Sequence, residues 1–381
     1  MKLTNLFEDF FKSEKVGGLT LIFCTVISLV LANSAFQTTY LHFWHINLAG
    51  NSVEYWINDA LMAIFFLLIG LELEREVYIG ELSDLKNASL PVIAAIGGMV
   101  VPAALYLVFN FGSATQAGAG IPMATDIAFA VGILSILGSR VPSSLKVFLT
   151  ALAVIDDLGA ILIIAIFYTG SLNFVNLFVA FAIFGGLIVL NRFKIRSLVP
   201  YLIGGVVMWY FMLHSGIHST ITGVLLAFTI PFEGGTGKSP STRLLHFLHK
   251  PVAFIILPLF ALANTGIVLA GGWQGSLVHA SSLGIMAGLI IGKPLGIFLF
   301  SFLAAGFGLC SLPGDLKWKH ILGAGFLAGI GFTMSIFITM LAFDRAELIN
   351  YSKLAVLAAS LVAGTIGFFW LKASLKRETA G

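Results

Sequence analysis

Two adjacent acidic residues stand in a segment that otherwise has the composition of a membrane helix. Asp156 and Asp157 occur in AVIDDLGA, inside an almost wholly apolar run over residues 147–168. Ten residues separate Lys146 from Asp156, which is about 15 Å of helix and half the thickness of a hydrocarbon core. A carboxylate at that depth costs about 2.5–3.5 kcal/mol on insertion scales, and such residues usually face a cavity and carry function. The pair is therefore the first candidate for chemistry.

Helical geometry gives the two carboxylates different surroundings. Neighbouring residues on a helix point about 100° apart, so Asp156 and Asp157 are expected to have different partners. Two acids this close in a low dielectric titrate as a coupled pair, which can hold protons and release them when a cation arrives. The alternative is that the run is broken and the pair lies in a loop. Residues 158–163 continue with Gly159 alone and no turn cluster, which favours the helix.

A third acid, Asp126, lies in a glycine-rich run, GAGIPMATDIAFAVGI. Pro122 removes a backbone donor and favours a break, so Thr125 and Asp126 are predicted to lie at or beside an unwound stretch. Irregular backbone at membrane depth is tolerated where protein or a cavity satisfies it. A carboxylate there can neutralise the positive end of a half-helix. The alternative places Asp126 in a loop outside the membrane.

The run HILGAGFLAGIGFTMSIFITM has the same character, with four glycines before Thr333. Both runs read Gly-Ala-Gly and then a threonine a few residues later. Two glycine-interrupted spans at matching places in two halves indicate an inverted repeat whose site lies where broken helices cross.

Lys293, in GLIIGKPLGIFLF, is expected to be the only basic residue deep in an apolar run. An ammonium there needs a carboxylate or carbonyl partner, and Asp126, Asp156 and Asp157 are the available acids. The alternative is that Lys293-Pro294 ends a shorter span and the side chain extends outward to the interface.

Composition places these residues in an integral membrane protein. Of 381 residues, 58% are hydrophobic and 10% charged, and the mean hydropathy is +1.00, whereas an average soluble domain is about 25% charged. The net charge is +3 with no basic block, so no nucleic-acid partner is expected. Cys24 and Cys310 offer neither a disulfide framework nor metal spacing.

We expect an all-α polytopic protein, a single transmembrane domain over 1–381 with no separate soluble domain. Its twelve apolar runs lie near residues 16–34, 57–79, 88–110, 119–138, 143–169, 173–191, 197–214, 216–231, 248–270, 281–308, 319–342 and 351–371.

Basic residues indicate the orientation. Eighteen of the 21 lie in or beside one set of alternate gaps between the runs, and two, Arg345 and Lys353, belong to the other set. The positive-inside rule therefore predicts that both chain ends are cytoplasmic.

The first outer gap, HFWHINLAGNSVEYWI over residues 42–57, alternates apolar and polar residues around Ala49-Gly50-Asn51. This pattern predicts a β-hairpin. Because an isolated hairpin is marginal in water, a homodimer contact through it is expected. The alternative is an irregular aromatic loop at the interface.

Taken together, these residues resemble the NhaA family of sodium/proton antiporters over nearly the whole chain. The stretches that carry the resemblance are INDALMAIFFLLIGLELERE, GIPMATDIAFAVGIL, LKVFLTALAVIDDLGAILIIA, HSGIHSTITGVLLAF, PLFALANTGI, GKPLGI and GIGFTMSIFI. Inverted repeats and broken helices crossing at mid-membrane are a known property of this family, so the resemblance implies them and is not independent support for them.

The resemblance implies roles for individual residues. Asp157 with Asp156 matches the cation and proton site. Lys293 matches the lysine that pairs with the first of these acids and compensates half-helix ends. Thr125, Asp126 and, in the second broken run, Thr333 match the crossing. Five residues match the cytoplasmic mouth of the funnel, where the family senses pH: Glu72, Arg75, Glu76, His246 and His249. His218 lies in the stretch that resembles the family's GxHxT motif.

One residue of this cluster departs from the family pattern. The family carries a glutamate just before the first helix-nine histidine, where this chain has Leu245, so part of the pH-sensing cluster is altered. Residues 72–84 also fit a solvated helix end, and the two histidines fit an ordinary interfacial pair.

The resemblance implies core helices within 88–169 and 281–371, with interface helices within 16–79 and 216–270.

The expected function is exchange of cytoplasmic Na⁺ or Li⁺ for external protons by alternating access in a bacterial inner membrane. Such a secondary transporter is not an enzyme, needs no cofactor, is electrogenic and alkaline-activated, and serves pH and sodium homeostasis. One alternative is an intramembrane aspartyl protease, for which Asp126 and Asp157 would have to converge on one water; no GxGD stretch supports it. Another is a Na⁺-driven symporter of an organic anion, which would need a larger polar cavity.

Overall fold

The computed structural model of the chain is almost entirely helical. It describes residues 2–234, 239–269 and 273–375, with side chains from residue 16 onward except 85–87. The α-helices of the described ranges are α1 Lys2–Ala32, α2 Gln37–Trp44, α3 Val53–Trp56, α4 Met62–Ile79, α5 Leu85–Asn110, α6 Ile127–Ile136, α7 Ser143–Phe167, α8 Phe174–Arg192, α9 Val199–Leu213, α10 Ile221–Ala227, α11 Pro240–Pro251, α12 Leu257–Asn264, α13 Trp273–Leu277, α14 Ala280–Ala287, α15 Lys293–Gly306, α16 Trp318–Ala328, α17 Phe332–Ala342 and α18 Ala346–Ser374. Short π-helical stretches join α3 to α4, α11 to α12 and α14 to α15, which makes each pair one continuous element.

Eight helical segments of the described residues, including Gln116–Ile136, are long and apolar enough to cross a membrane, and α16 with α17 forms a ninth that bends by 49° at its break. Val16–Ala32 and Val199–Leu213 are shorter apolar helices. The all-α polytopic fold is confirmed, whereas the count of twelve spans remains a prediction. The run at 216–231 contains only the seven-residue α10, about 10 Å of helix, because Gly216 turns the chain at φ +88° before the helix begins.

The predicted break beside Asp126 is present. Residues Gln116–Met123 form a 3₁₀-helix, Ala124 and Asp126 are extended, and α6 begins at Ile127. The predicted helix is thus replaced by a tighter turn before the break, in the segment that contains Pro122. Together with the bend between α16 and α17, this gives two broken helices.

Close backbone packing positions the start of α15. A Cβ on Gly97 of α5 would lie 2.3 Å from the carbonyl oxygen of Gly296, and one on Gly296 would lie 2.1 Å from the carbonyl oxygen of Gly97. Only glycine permits such an approach, as in other tight membrane-helix interfaces. The contact fixes α15 one turn beyond Lys293.

The predicted hairpin exists, but it is shorter than residues 42–57. Strands β1 (Asn47–Leu48) and β2 (Asn51–Ser52) pair antiparallel, and Ala49 and Gly50 make the turn with positive φ. The flanking residues are helical, because α2 extends to Trp44 and the Ser52 hydroxyl accepts the Tyr55 N–H to cap α3.

The structure corrects one assignment among the basic residues. Lys353 was expected in an outer gap, but it is 7% exposed within α18, so Lys293 is not alone in being buried. The side chain turns inward because amide groups are available there, as described below. Other basic residues used for the orientation lie outside the described side chains: Lys2, Lys12, Lys15, Lys86, Lys238, Lys376 and Arg377.

Candidate functional site

The paired acids of α7 lie fully buried beside the two helix breaks, and their surroundings differ. One oxygen of Asp156, Oδ2, lies 2.7 Å from Lys293 Nζ and accepts a 2.7 Å hydrogen bond from the Thr125 hydroxyl. Neither carboxylate oxygen of Asp157 has a hydrogen-bond partner among the described residues, and the same holds for Asp156 Oδ1. Helix α7 therefore presents one ion-paired carboxylate, that of Asp156, and one, that of Asp157, whose oxygens can still accept a ligand.

Lys293 and Thr125 also satisfy the carbonyl ends of the broken helices. The Lys293 ammonium donates to the carbonyl oxygen of Met123, where the 3₁₀-helix ends. The Thr125 hydroxyl lies 2.9 Å from the carbonyl oxygen of Ala328, where α16 ends. A cation at such an end offsets the partial negative charge of the helix C-terminus.

Asp126 joins the two opposite helix ends. Its Oδ1 accepts from the Phe129 N–H at 3.0 Å, at the start of α6. Its Oδ2 accepts from the N–H of Thr333 at 3.0 Å and from the Thr333 hydroxyl at 2.5 Å, at the start of α17. The Asp126 N–H donates to Ile330 at 2.7 Å, which ties one break to the other. Because both oxygens of Asp126 serve helix ends, the acid holds the crossing together, as helix dipoles require.

Among the described residues, Asp157 is therefore the acid at this crossing with both carboxylate oxygens free of hydrogen-bond partners. It lies within electrostatic reach of Asp156, Asp126, Glu72 and Lys293. Hard, small cations and protons both bind carboxylate oxygen, so the site can take up either. An aspartyl protease would need two carboxylates on one water, and Asp126 is already committed to the backbone.

Two of the predicted pH-response residues meet at the end expected to be cytoplasmic. Glu72 and His249 line a small cavity of about 30 Å³ whose other walls include Ile127 and Ala128, next to Asp126. This cavity therefore approaches the crossing from that side.

The other predicted pH-response residues are spread over two regions. Arg75 pairs with its neighbour Glu76 at 2.8 Å, and His246 is exposed on α11. His218 is separate from them: it precedes Ser219, whose hydroxyl donates to Asp59 at the opposite end of the molecule.

Sequence reasoning missed Glu74. It is 3% exposed and its Oε2 accepts a 2.5 Å hydrogen bond from the Ser241 hydroxyl, which links α4 to α11. In the sequence it was part of a charged helix end. Its spacing from the buried Leu67 and Leu71, at i, i+4 and i+7, is the signal that places it on the inward face.

A family model and curated relatives match nearly the whole chain. A family model described as Na⁺/H⁺ antiporter 1 matches residues 8–371. The Na(+)/H(+) antiporter NhaA of Flavobacterium psychrophilum is 68% identical over 376 residues, covering 99% of this chain and 98% of the relative. NhaA 1 of Flavobacterium johnsoniae is 64% identical over 372 residues, covering 98% of each. Among solved structures, the sodium proton antiporter MjNhaP1 of Methanocaldococcus jannaschii covers 98% of this chain and is itself covered to 96%, at 15% identity and a TM-score of 0.44.

Proposed function

Since the chain belongs to the Na⁺/H⁺ antiporter 1 family, we propose that it exports Na⁺, and Li⁺, in exchange for external protons. It is then a secondary transporter and not an enzyme, with ions as its only cargo and no cofactor. The observation that carries the proposal is the unpartnered carboxylate of Asp157 beside the ion-paired Asp156, at the crossing of two broken helices.

The two acids have unequal roles in this proposal. Asp157 binds Na⁺ or a proton in turn, and its neighbour contributes Oδ1, which is also unpartnered. Asp156 otherwise holds Lys293 in place, and Lys293 is the second group able to change its protonation when the cation arrives. Asp126, Thr125 and Thr333 keep the helix ends in register around the site.

Binding of the cation must displace protons, because a protonated carboxylate has lost the charge that attracts Na⁺. With more than one titratable group at the site, more than one proton enters for each Na⁺ that leaves. The exchange therefore moves net charge inward and is driven by a negative interior. It weakens in acid, where protons win the competition, and it is active at alkaline pH.

The residues at the cavity mouth adjust this response. Glu72 and His249 face the path toward the crossing, and Arg75, Glu76 and His246 lie near them, so their charge alters the local potential felt by an arriving cation. His218 acts from the other end. With Leu245 buried where the family has a glutamate, the pH profile of this chain differs from that of relatives that keep the acid.

Alternating access requires one set of helices to move against another. We assign the crossing and its neighbours, within 88–169 and 281–371, to a moving core, and helices within 16–79 and 216–270 to an interface unit. The hairpin at 47–52 contacts a second copy in a homodimer. The protein resides in a bacterial inner membrane with both ends cytoplasmic, where it serves pH and sodium homeostasis.

Everted membrane vesicles loaded with a pH-sensitive dye test the proposal. Na⁺ or Li⁺ added at alkaline pH is expected to dissipate an imposed proton gradient. Asp157→Asn is expected to abolish this response, while Asp156→Asn retains part of it, because Asn still accepts from Lys293. Equal activity in Asp157→Asn and the parent, or a parent that does not respond to either cation, would refute the assignment.

A further inference from the structure

A second buried lysine, Lys353, is part of a polar cluster that the ion site does not use. Its Nζ donates to Asn264 Oδ1 at 3.3 Å. The amides of Asn264 and Asn58 bond each other in both directions, at 2.6 and 3.2 Å. The cluster lies at the end of the molecule opposite the cavity of Glu72 and His249, and the carboxylate of Glu54 is within electrostatic reach of Lys353.

The cluster connects the two sets of helices assigned above. Lys353 belongs to α18, and the Asn58 amide also contacts the sulfur of Met340 in α17, at 3.5 Å. Asn58 and Asn264 belong instead to the interface helices, at the start of the α3–α4 element and at the end of α12. The Lys353–Asn264 and Asn58–Met340 contacts therefore run between the units whose relative movement transport requires.

An aromatic layer lies between this cluster and the ion site. Phe337 of α17 packs against Phe66 and Phe260, with ring centroids 5.5 and 6.4 Å apart, and all three are at most 1% exposed. Along α17, Phe337 is one turn from Thr333 and Met340 is nearly two, about 6 and 10 Å at the helical rise. An apolar seal and then a polar cluster thus close this side, while the other side has a cavity.

We propose that Lys353, Asn58 and Asn264 form an outer latch, which holds the external side closed while the ion site faces the cytoplasm. The proposal rests on the alternating-access exchange described above. Parting the two units removes the acceptor of a desolvated ammonium, so the latch opens only as water enters to replace it. Lys353 and the two amides are positioning residues, because they act on access to the site and do not touch the ion.

Loss of the latch shifts the population toward the outward-open form. A hydrogen bond to a charged group is among the stronger ones, so we expect about a tenfold increase or more in that population. The binding chemistry at Asp157 is unchanged.

Labelling from outside measures that population without relying on transport. In a background with Cys24→Ala and Cys310→Ala, a reporter Thr339→Cys is placed on α17, where the native side chain is fully buried one residue from Met340. Intact cells are treated with a membrane-impermeant methanethiosulfonate reagent, and the labelling rate is measured with and without Lys353→Met.

The expected result is about tenfold faster labelling in Lys353→Met and in Asn264→Leu, each of which removes one side of the same bond. The matched control is Asn110→Leu, because Asn110 is an equally buried amide that bonds Tyr106 in the core unit and Ala280 directly beside it. Apparent Na⁺ affinity should also become stronger from the outside and weaker from the inside, which general destabilisation would not produce.

Unchanged labelling in either folded latch variant, or an equal increase in Asn110→Leu, would overturn the latch. Folding is checked by the elution of each purified variant as a single peak, and Asn264→Leu decides the matter if Lys353→Met does not fold. If the latch variants label faster while the parent shows no Na⁺-linked proton movement, the exchange proposal fails. The role of the cluster in closing the external side is then still supported.

Discussion

Removing the Lys293 ammonium should destabilise the protein by leaving Asp156 charged and buried. The pair is 2.7 Å apart and both residues are 0% exposed. Breaking a buried ion pair by deleting one partner costs about 3–5 kcal/mol, whereas losing one hydrogen bond costs about 0.5–1.5 kcal/mol. For Lys293→Met we therefore expect a loss of about 3–4 kcal/mol at pH 8, since the Thr125 hydroxyl still serves Asp156.

The charge itself should account for most of that loss. Asp156→Asn in the same chain removes the uncompensated charge, so the double variant Lys293→Met/Asp156→Asn should recover all but about 1.5 kcal/mol. The single variant should also recover as the pH falls, because a protonated Asp156 needs no cation beside it. The free energy of unfolding can be measured by denaturant titration in detergent micelles at several pH values.

Lys353→Met provides the control for this experiment. It deletes another buried ammonium, whose bonded partner is the neutral Asn264, so adding Asp156→Asn should leave its cost unchanged, as expected for separate sites. If the double variant with Lys293→Met is as unstable as the single one, or if the loss does not depend on pH, the charge argument is wrong.

Two further predictions concern the crossing and the cavity mouth. Thr333→Val removes a hydroxyl donor from Asp126 and keeps the N–H, so the apparent Na⁺ affinity in everted vesicles should weaken about three- to tenfold. Thr333→Ser keeps the hydroxyl and should stay close to the parent. Equal behaviour of the two variants would contradict this role. Glu74→Leu leaves the buried Ser241 hydroxyl without its acceptor and should lower the free energy of unfolding by about 1–3 kcal/mol, whereas Glu74→Gln should stay within about 1 kcal/mol; equal losses would show that shape, and not the hydrogen bond, matters there.

The features predicted best from the sequence are those that depend on the position of a residue within an apolar run. Asp156, Asp157 and Lys293 stood out because charge inside an apolar run is expensive, and the structure places all three together. The breaks near Asp126 and Thr333 followed from glycine and proline, which act locally. The roles of these residues in transport remain predictions.

Other features depend on proximity in space and had no local signal. Lys353 lies seven residues into α18, where a lysine can turn outward or inward, and the partner that draws it inward, Asn264, is 89 positions away. The hairpin was overextended because alternation over residues 42–57 also fits two helix ends flanking a short turn. The run at 216–231 is apolar enough for a span, but its helical part is only the seven-residue α10, so its role as a span remains a prediction.

The unpartnered state of Asp157 has a consequence for the efficiency of coupling. Because neither oxygen has a hydrogen-bond donor among the described residues, this buried carboxylate is costly when it is charged and carries no ion. In an exchanger, the empty and deprotonated form would then be the least populated of all forms, while the forms that carry either a proton or a cation are favoured. If the empty form is rare, the protein rarely changes between its inward- and outward-facing forms without a bound ion. The energy of the proton gradient is then not lost in transitions that export no Na⁺.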